Sequence, residues 1–448
     1  MRFRSTFLLL LFPVLTSGQQ VLDDYISCGL ENNLALKQKL SNYQKSLEAL
    51  REARGLFFPN ISLNARYTVS EGGRVIDFPV GDLLNPVYST LNALTSSSLF
   101  PSIENQKVRF LRPTEHETKI RVVQPVINTD IWYNNRIKQG LSAVDEADAE
   151  QYRRELIAEI RKAYYSAAMA DGILKMLYNT RTLLVENIRI NKRLAENQKV
   201  TLDNVYRSEA ELSKFDQDLL IAEKNGKVAA AWFNFLLNRP LDDSISLMLP
   251  DIFPSVSSLK SDYTEMALEN REELEKLKKY GDIAEMQVKM NQSSMVPDLF
   301  VAVDYGFQGE EYRFNKEQDY MQASAVLTWK LFEGFSNKAK IRQSIIDREI
   351  IEDQLEEARK HIELQVITVL SELRAADRGI TAAEARLRNA AEGYRLVNRK
   401  FNEGQASLIE YIDARNTLTN AEENLIMSKY SYLSCYAEFE KVLAIKTF

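Results

Sequence analysis

The stretch from Asn337 to Phe401 limits the possible folds of this chain more than any other. It has no proline, and only Gly379 and Gly393 interrupt it. Apolar or small residues recur there in steps of three and four: Leu355, Ala358, Ile362, Val366, Leu370, Leu373, Ala376, Ile380, Ala383, Leu387, Ala390, Tyr394, Val397 and Phe401. That spacing predicts one α-helix with a single apolar stripe, and with Arg, Glu and Lys on its other faces. At 1.5 Å per residue the helix runs roughly 100 Å, longer than a globular domain is wide. Such a rod buries its stripe only against other rods, and the alanines in the stripe let them approach closely. The pattern breaks at Asn402-Glu403-Gly404 and returns from Leu408 to Leu443. Taken alone, the stretch also fits a solitary dimeric coiled coil; the rest of the chain argues against that.

The remainder repeats one plan twice. Leu30-Glu31-Asn32-Asn33 and Leu268-Glu269-Asn270-Arg271 each open a predicted helix of about thirty residues that ends at a proline, Pro59 or Pro297. Leu268 follows Leu30 by 238 residues, and Pro297 follows Pro59 by the same number. Each proline stops its helix because it has no amide hydrogen and disfavours α geometry in the residue before it. Beyond each proline the period changes to two. Ile61, Leu63, Ala65, Tyr67 and Val69 alternate with Ser62, Asn64, Arg66 and Thr68; Leu299, Val301, Val303, Tyr305 and Phe307 alternate with polar or small residues, apart from Phe300. A second alternating run follows in each copy, around Thr118–Val122 and Met321–Thr328. Ten residues of alternation suit a strand that crosses a membrane at a tilt with its apolar side toward lipid. Tyr67, Tyr133, Tyr305, Tyr312, Tyr320, Trp132 and Trp329 gather at the strand ends, where an aromatic girdle belongs.

Between its strands the first copy carries 33 more residues than the second, since Trp329 follows Gln124 by only 205. The excess lies within Glu71 to Glu117, rich in Gly, Pro, Ser and Asn, and reads as a long extracellular loop. A proline-free helix then runs from Ile131 to Glu196, breaks near Asn197-Gln198-Lys199, and returns from Asp203 to Leu237. The expected organisation is a leader over 1–18 and a first copy over 19–240, with strands about 60–70 and 117–127, long helix 131–196 and return helix 203–238. A linker over 241–255 follows, then a second copy over 256–448, with strands about 298–308 and 320–331, long helix 335–402 and return helix 407–446. Four strands cannot close a barrel, and an open edge is not tolerated in lipid, so strands in a membrane demand several copies.

The first 18 residues read as a secretory signal peptide: Arg2 and Arg4, an apolar core from Phe7 to Leu15, and Thr16-Ser17-Gly18 as the cleavage site. That apolar run is about half a bilayer span, which argues against an anchor. The formal charge of −6, with 57 basic and 63 acidic residues interspersed, excludes a basic nucleic-acid surface. Cys28 and Cys435, the only cysteines, are read as unpaired thiols, and Cys28 stands too far from the cleavage site to carry a lipid.

In these features the chain resembles the TolC-type outer-membrane efflux channel family over essentially its whole length after the leader. The resemblance rests on Leu30-Glu31-Asn32-Asn33, on the helix ends at Pro59 and Pro297, on Trp232-Phe233-Asn234-Phe235-Leu236-Leu237-Asn238-Arg239-Pro240, on Trp329-Lys330-Leu331-Phe332-Glu333-Gly334, and on the run from Gly404 to Arg415. It implies a mainly α protein with a membrane β-barrel, a homotrimer whose three chains supply twelve strands. Long antiparallel helices would form a periplasmic α-barrel, docked on a periplasmic adaptor and an inner-membrane transporter. The implied role is the exit duct of a tripartite efflux or type I secretion system in the outer membrane of a Gram-negative bacterium. It also implies a constriction at the periplasmic tip, and the positions matching its acids are Glu410 and Asp413. Three apart in the first turn of the return helix, these two share a face, and threefold symmetry would place six carboxylates round one axis. Acids there also complement the helix dipole. The tip turns, and with them the expected adaptor contacts, are Lys199, Val200, Thr201 and Leu202, and Gly404, Gln405, Ala406, Ser407 and Leu408. Where some relatives have a basic latch residue, four before the first acid, this chain has Ala406; Lys199, Arg207 and Arg415 are the candidates to replace it.

No catalytic constellation, nucleotide-binding fingerprint or metal-ligand spacing is present, so neither enzyme activity nor a cofactor is expected. His116 and His361 are read as surface residues. The alternative reading is a soluble periplasmic coiled-coil adaptor or scaffold. It accounts for the helices and the leader but not for four amphipathic strands at the same place in both copies.

Overall fold

A computed structural model describes residues 17–248 and 263–445. Most of the expected leader and much of the linker lie outside the described residues. One compact unit takes in the chain up to Leu47, Gln139–Ala284 and the chain from Ile346 on; the other is Glu48–Lys138 with Glu285–Ile345. The first copy contains α1 (Ser17–Asn32), α2 (Leu34–Gly55), β1 (Asn60–Val69), β2 (Val75–Phe78), α3 (Val80–Thr95), β3 (Gln106–Arg109), β4 (Thr114–Ile127), α4 (Thr129–Glu196) and α5 (Leu202–Leu236). The second contains α6 (Tyr263–Asn270), α7 (Glu272–Ser293), β5 (Asp298–Gly309), β6 (Asp319–Thr328), α8 (Ser336–Asn402) and α9 (Leu408–Val442).

The rods form where their periodicity places them. α4 has 68 residues and α8 has 67, and each is followed by a 35-residue return helix. Every residue of the predicted α8 stripe is buried or half-buried, while the charged residues between them are exposed. The repeat extends into the packing. In one core Phe233 meets Tyr25 edge-on at 5.1 Å, over Leu36, Leu156 and Ile160. In the other, Phe439 meets Tyr263 edge-on at 5.4 Å, beside Leu274, Ile362 and Val366. Each residue of the second set follows its counterpart by a constant offset, the 238 already found ahead of the strands and 206 beyond them.

Three expectations require correction. The helices opened by the Leu-Glu-Asn motifs are shorter than thirty residues, because each motif also ends a preceding helix. Asn33 separates α1 from α2, its Oδ1 accepting from Leu36 N at 2.9 Å while its Nδ2 donates to Leu236 O at 2.8 Å. α2 and α7 consequently have 22 residues each. Secondly, the insertion expected to be a loop contains α3 and a small antiparallel pair, β2 with β3. Its asparagines and prolines read as turn formers, but here the asparagine side chains fasten the helix to the rest of the insertion. Thirdly, His116 is not a surface residue. It is fully buried beneath the β5–β6 connection, with Nε2 at 2.8 Å from Glu311 O and its ring stacked on Tyr312 at 4.2 Å. His361 is exposed, and both cysteines are half-buried and unpaired.

The main sheet has strand order β1-β4-β5-β6, antiparallel throughout. Its register aligns Leu63, Ile120, Tyr305 and Met321 in one row, and Ile61, Val122, Val303 and Ala323 in the next. These rows lie on one apolar face, where Leu63 and Met321 are 72% and 73% exposed. The other face is charged. Arg121 grips Asp304 with two hydrogen bonds of 2.8 and 2.6 Å, Lys119 pairs with Glu117 at 2.7 Å, and Tyr320 donates to Glu117 at 2.7 Å. Among the described residues β1 and β6 each pair on one side only, so the sheet is open at both edges. Among the described residues no helix is long and apolar enough to cross a membrane.

Candidate functional site

The two helix-pair tips are built alike. α4 ends on Gln198 in the left-handed region (φ 59°), with Gln198 N bonded to Ala195 O at 2.9 Å and Lys199 N to Leu194 O at 2.8 Å. α8 ends on Gly404 (φ 73°), with Gly404 N bonded to Phe401 O at 3.0 Å and Gln405 N to Lys400 O at 2.8 Å. These bonds satisfy carbonyls that the helix ends would otherwise leave open. Glycine takes the left-handed conformation freely, whereas Gln198 gives up about 1 kcal/mol to do so. Thr201 and Ser407 then stand, extended, as N-caps of α5 and α9.

The caps differ. Ser407 forms a complete capping box: Glu410 N donates to Ser407 Oγ at 3.3 Å, and Ser407 N donates to Glu410 Oε2 at 2.7 Å. The Ser407 amide and hydroxyl hold the Glu410 carboxyl below the usual carboxylate range. Thr201 caps no amide, and its hydroxyl turns to Asp203 instead. Ser407→Ala is therefore expected to cost about 1 kcal/mol at the start of α9. Hydrogen exchange at the Glu410 amide should speed up roughly fivefold, with little change at the α5 start in Thr201→Ala. Equal responses at the two tips would contradict this assignment.

Of the residues expected at the tips, Leu408 is buried and Val200 and Ala406 are half-buried. Lys199, Thr201, Leu202, Gly404, Gln405 and Ser407 are exposed. Glu410 is folded back onto Ser407, while Asp413, one turn on, is exposed and has no ion-pair partner among the described residues. Of the three latch candidates, Lys199 is exposed and Arg207 lies 3.8 Å from Asp203 on its own helix. Arg415 is buried, and its Nη2 donates to Thr180 Oγ1 at 2.9 Å, joining α9 to α4. Its guanidinium also lies over the Tyr394 ring at 5.3 Å. Beside it Asn416 Nδ2 donates to Glu211 Oε1 at 2.7 Å, joining α9 to α5.

The sequence reading missed the aromatic stack that carries this polar layer. Tyr411 lies on Phe401 at 4.8 Å, and burial pushes its hydroxyl pKa upward. A signal was available, since Tyr411, Arg415 and Leu418 fall at helical spacing on one face. A charge in an apolar stripe marks a helix face that meets a polar partner.

Residues 264–444 match a family described as outer membrane efflux protein. Over 322 residues the chain is 21% identical to the alkaline protease secretion protein AprF of Pseudomonas aeruginosa, covering 70% of this chain and 66% of AprF. It is 17% identical to the outer membrane protein TolC of Escherichia coli over 441 residues, 94% of this chain and 81% of TolC. The crystal structure of the CmeC outer membrane channel of Campylobacter jejuni superposes with a TM-score of 0.78 at 14% identity, over 95% of this chain and 85% of that one.

Proposed function

We propose that the chain is an outer membrane efflux protein of the TolC type, the family its second copy matches, and that it is one subunit of a homotrimeric exit duct in the outer membrane of a Gram-negative bacterium. The sheet carries this reading. An open four-stranded sheet with one apolar and one charged face, both edges unpaired, cannot rest alone in lipid. Three copies joined β1 to β6 make a closed twelve-stranded wall, apolar outside and charged within. The helical pairs continue the duct into the periplasm, and their unclaimed apolar residues favour contact between copies: Leu220, Val228, Trp232 and Phe235 on α5, Leu364 and Ile367 on α8. The duct is passive and takes its substrate from a periplasmic adaptor and an inner-membrane transporter, in efflux or in type I secretion. The tip turns at 199–202 and 404–408 meet the adaptor, and Glu410 and Asp413 line the constriction.

Of the two acids, Asp413 is the freer, because the Glu410 carboxylate is held by its own helix cap. In planar-bilayer recordings Glu410→Gln with Asp413→Asn should reduce cation selectivity and divalent-cation block, and Asp413→Asn alone should account for most of the loss. Unchanged selectivity in the double variant would remove the ring and leave the duct standing. The duct itself is tested by purification: a heat-modifiable trimer extracted only by detergent supports it, and a monomer released by osmotic shock overturns it.

A further inference from the structure

Helix α3 is amphipathic in the opposite sense to an ordinary exposed helix. Its polar side faces the neighbouring segment of its own insertion. Asn85 exchanges hydrogen bonds of 3.0 and 2.9 Å with the backbone of Ile103, and Asn92 exchanges bonds of 2.7 and 3.1 Å with that of Phe100. Asn105 closes a third clamp on Asp82, with bonds of 2.9 and 3.1 Å. At Gly81 a Cβ would come within 2.4 Å of Ile103 O, so the backbones are already in contact. These clamps fix the rotation of the helix. The opposite stripe, Leu83, Val87 and Leu94 at steps of four and seven, therefore points outward, 69%, 51% and 78% exposed.

A fixed apolar stripe of this kind marks a contact surface, and its chemistry selects the partner. Helices that lie on lipid headgroups carry Lys and Arg on their polar side. α3 has neither, and its one ionised residue, Asp82, is tied to Asn105. The surface that matches is another uncharged apolar stripe. Placement points the same way: the insertion leaves directly from β1, and the free edge of β1 is where the next copy joins. We infer that the α3 stripes of neighbouring copies pack on one another, forming a self-contact at the end of the barrel from which the β1–β4 insertion projects. This rests on the trimeric reading above, since threefold symmetry is what brings identical stripes together.

The test uses the full-length protein in detergent and in liposomes, with Cys28→Ala and Cys435→Ala to clear the background. Val87→Cys probes the stripe, and Ser89→Cys, exposed on another side of α3, is the control. With a short bis-maleimide, Val87→Cys, which leaves one thiol per chain, should give covalent dimers in a yield at least ~10-fold above Ser89→Cys, reflecting the high effective concentration of touching stripes. A trimer by light scattering that gives no such excess overturns the contact and leaves the duct intact. In that case a fluorophore at residue 87 quenched by lipid-borne nitroxide would assign the stripe to the bilayer. Equal reaction of both positions with a water-soluble maleimide would assign it to solvent, and this too overturns the contact. A monomer would remove the contact and the trimeric reading together.

Discussion

Arg154→Met should destabilise the helical unit by about 3 kcal/mol at neutral pH, at the low end of the cost of breaking a buried ion pair from one side. Arg154 extends from α4 in the first copy and ties down two elements of the second. Its Nε bonds Glu272 at 2.8 Å, its Nη2 bonds Glu273 at 2.9 Å, and its Nη1 reaches Lys441 O at 2.5 Å at the end of α9. The guanidinium is only 11% exposed, and the two carboxylates 17% and 24%. Methionine fills the volume but leaves Glu272 and a carbonyl without their partner; Glu273 keeps Arg271 at 2.8 Å. The effect has a definite pH signature. Burial pushes the Glu273 carboxyl upward, but Arg271 and Arg154 outweigh it and hold it at about 2, against an ordinary value of 4.5. A lowered carboxylate pKa stabilises the fold above the ordinary value, and that contribution is lost as pH falls through the lowered one. The gap between wild type and Arg154→Met should therefore narrow from about pH 4.5 to about pH 2. Urea midpoints followed by helical circular dichroism measure it. Coincident midpoints at pH 7 would show that the network contributes nothing to stability.

Phe233→Ala and Phe439→Ala should each cost about 4 kcal/mol, as expected for a phenylalanine removed from a closed core. Both residues are fully buried: Phe233 is 0% exposed and Phe439 1%. Each lies edge-on to a tyrosine from the helix that begins its own copy, an arrangement that contributes beyond area burial. Because the two cores are counterparts, the two losses should agree within about 1 kcal/mol, the scatter that local relaxation introduces. A large loss at one site with a small one at the other would show that the copies no longer share a packing plan. Denaturant midpoints on both single variants suffice.

The rods were legible because helix period is a property of one segment. All fourteen stripe residues of α8 turn inward, and nothing outside α8 is needed to predict it. The strands were legible for the same reason, with β4 beginning three residues before the expected start and β6 ending three before the expected end. The insertion was misread because α3 is held by asparagine side chains bonded to a backbone up to 23 residues away, and the same asparagines in isolation signal turns. His116 was misread because its cover arrives from 195 residues later in the chain. The tip was half legible. Ser407 and Glu410 at the spacing of a capping box are visible in sequence, but whether the Glu410 carboxylate turns back to the cap or stands free is decided by geometry.

By itself, then, the chain's order of residues determined a doubled plan of rod and strand, the offsets that relate its halves, and the positions of both tips. Only the tertiary structure decided which side of the sheet gathers Arg121, Asp304, Lys119 and Glu117, that Arg415 bridges two helix pairs, and that α3 shows its apolar side outward. The physical reason is that periodicity resides in a single segment. Register and pairing belong to two segments at once, and become defined only when both are folded against each other.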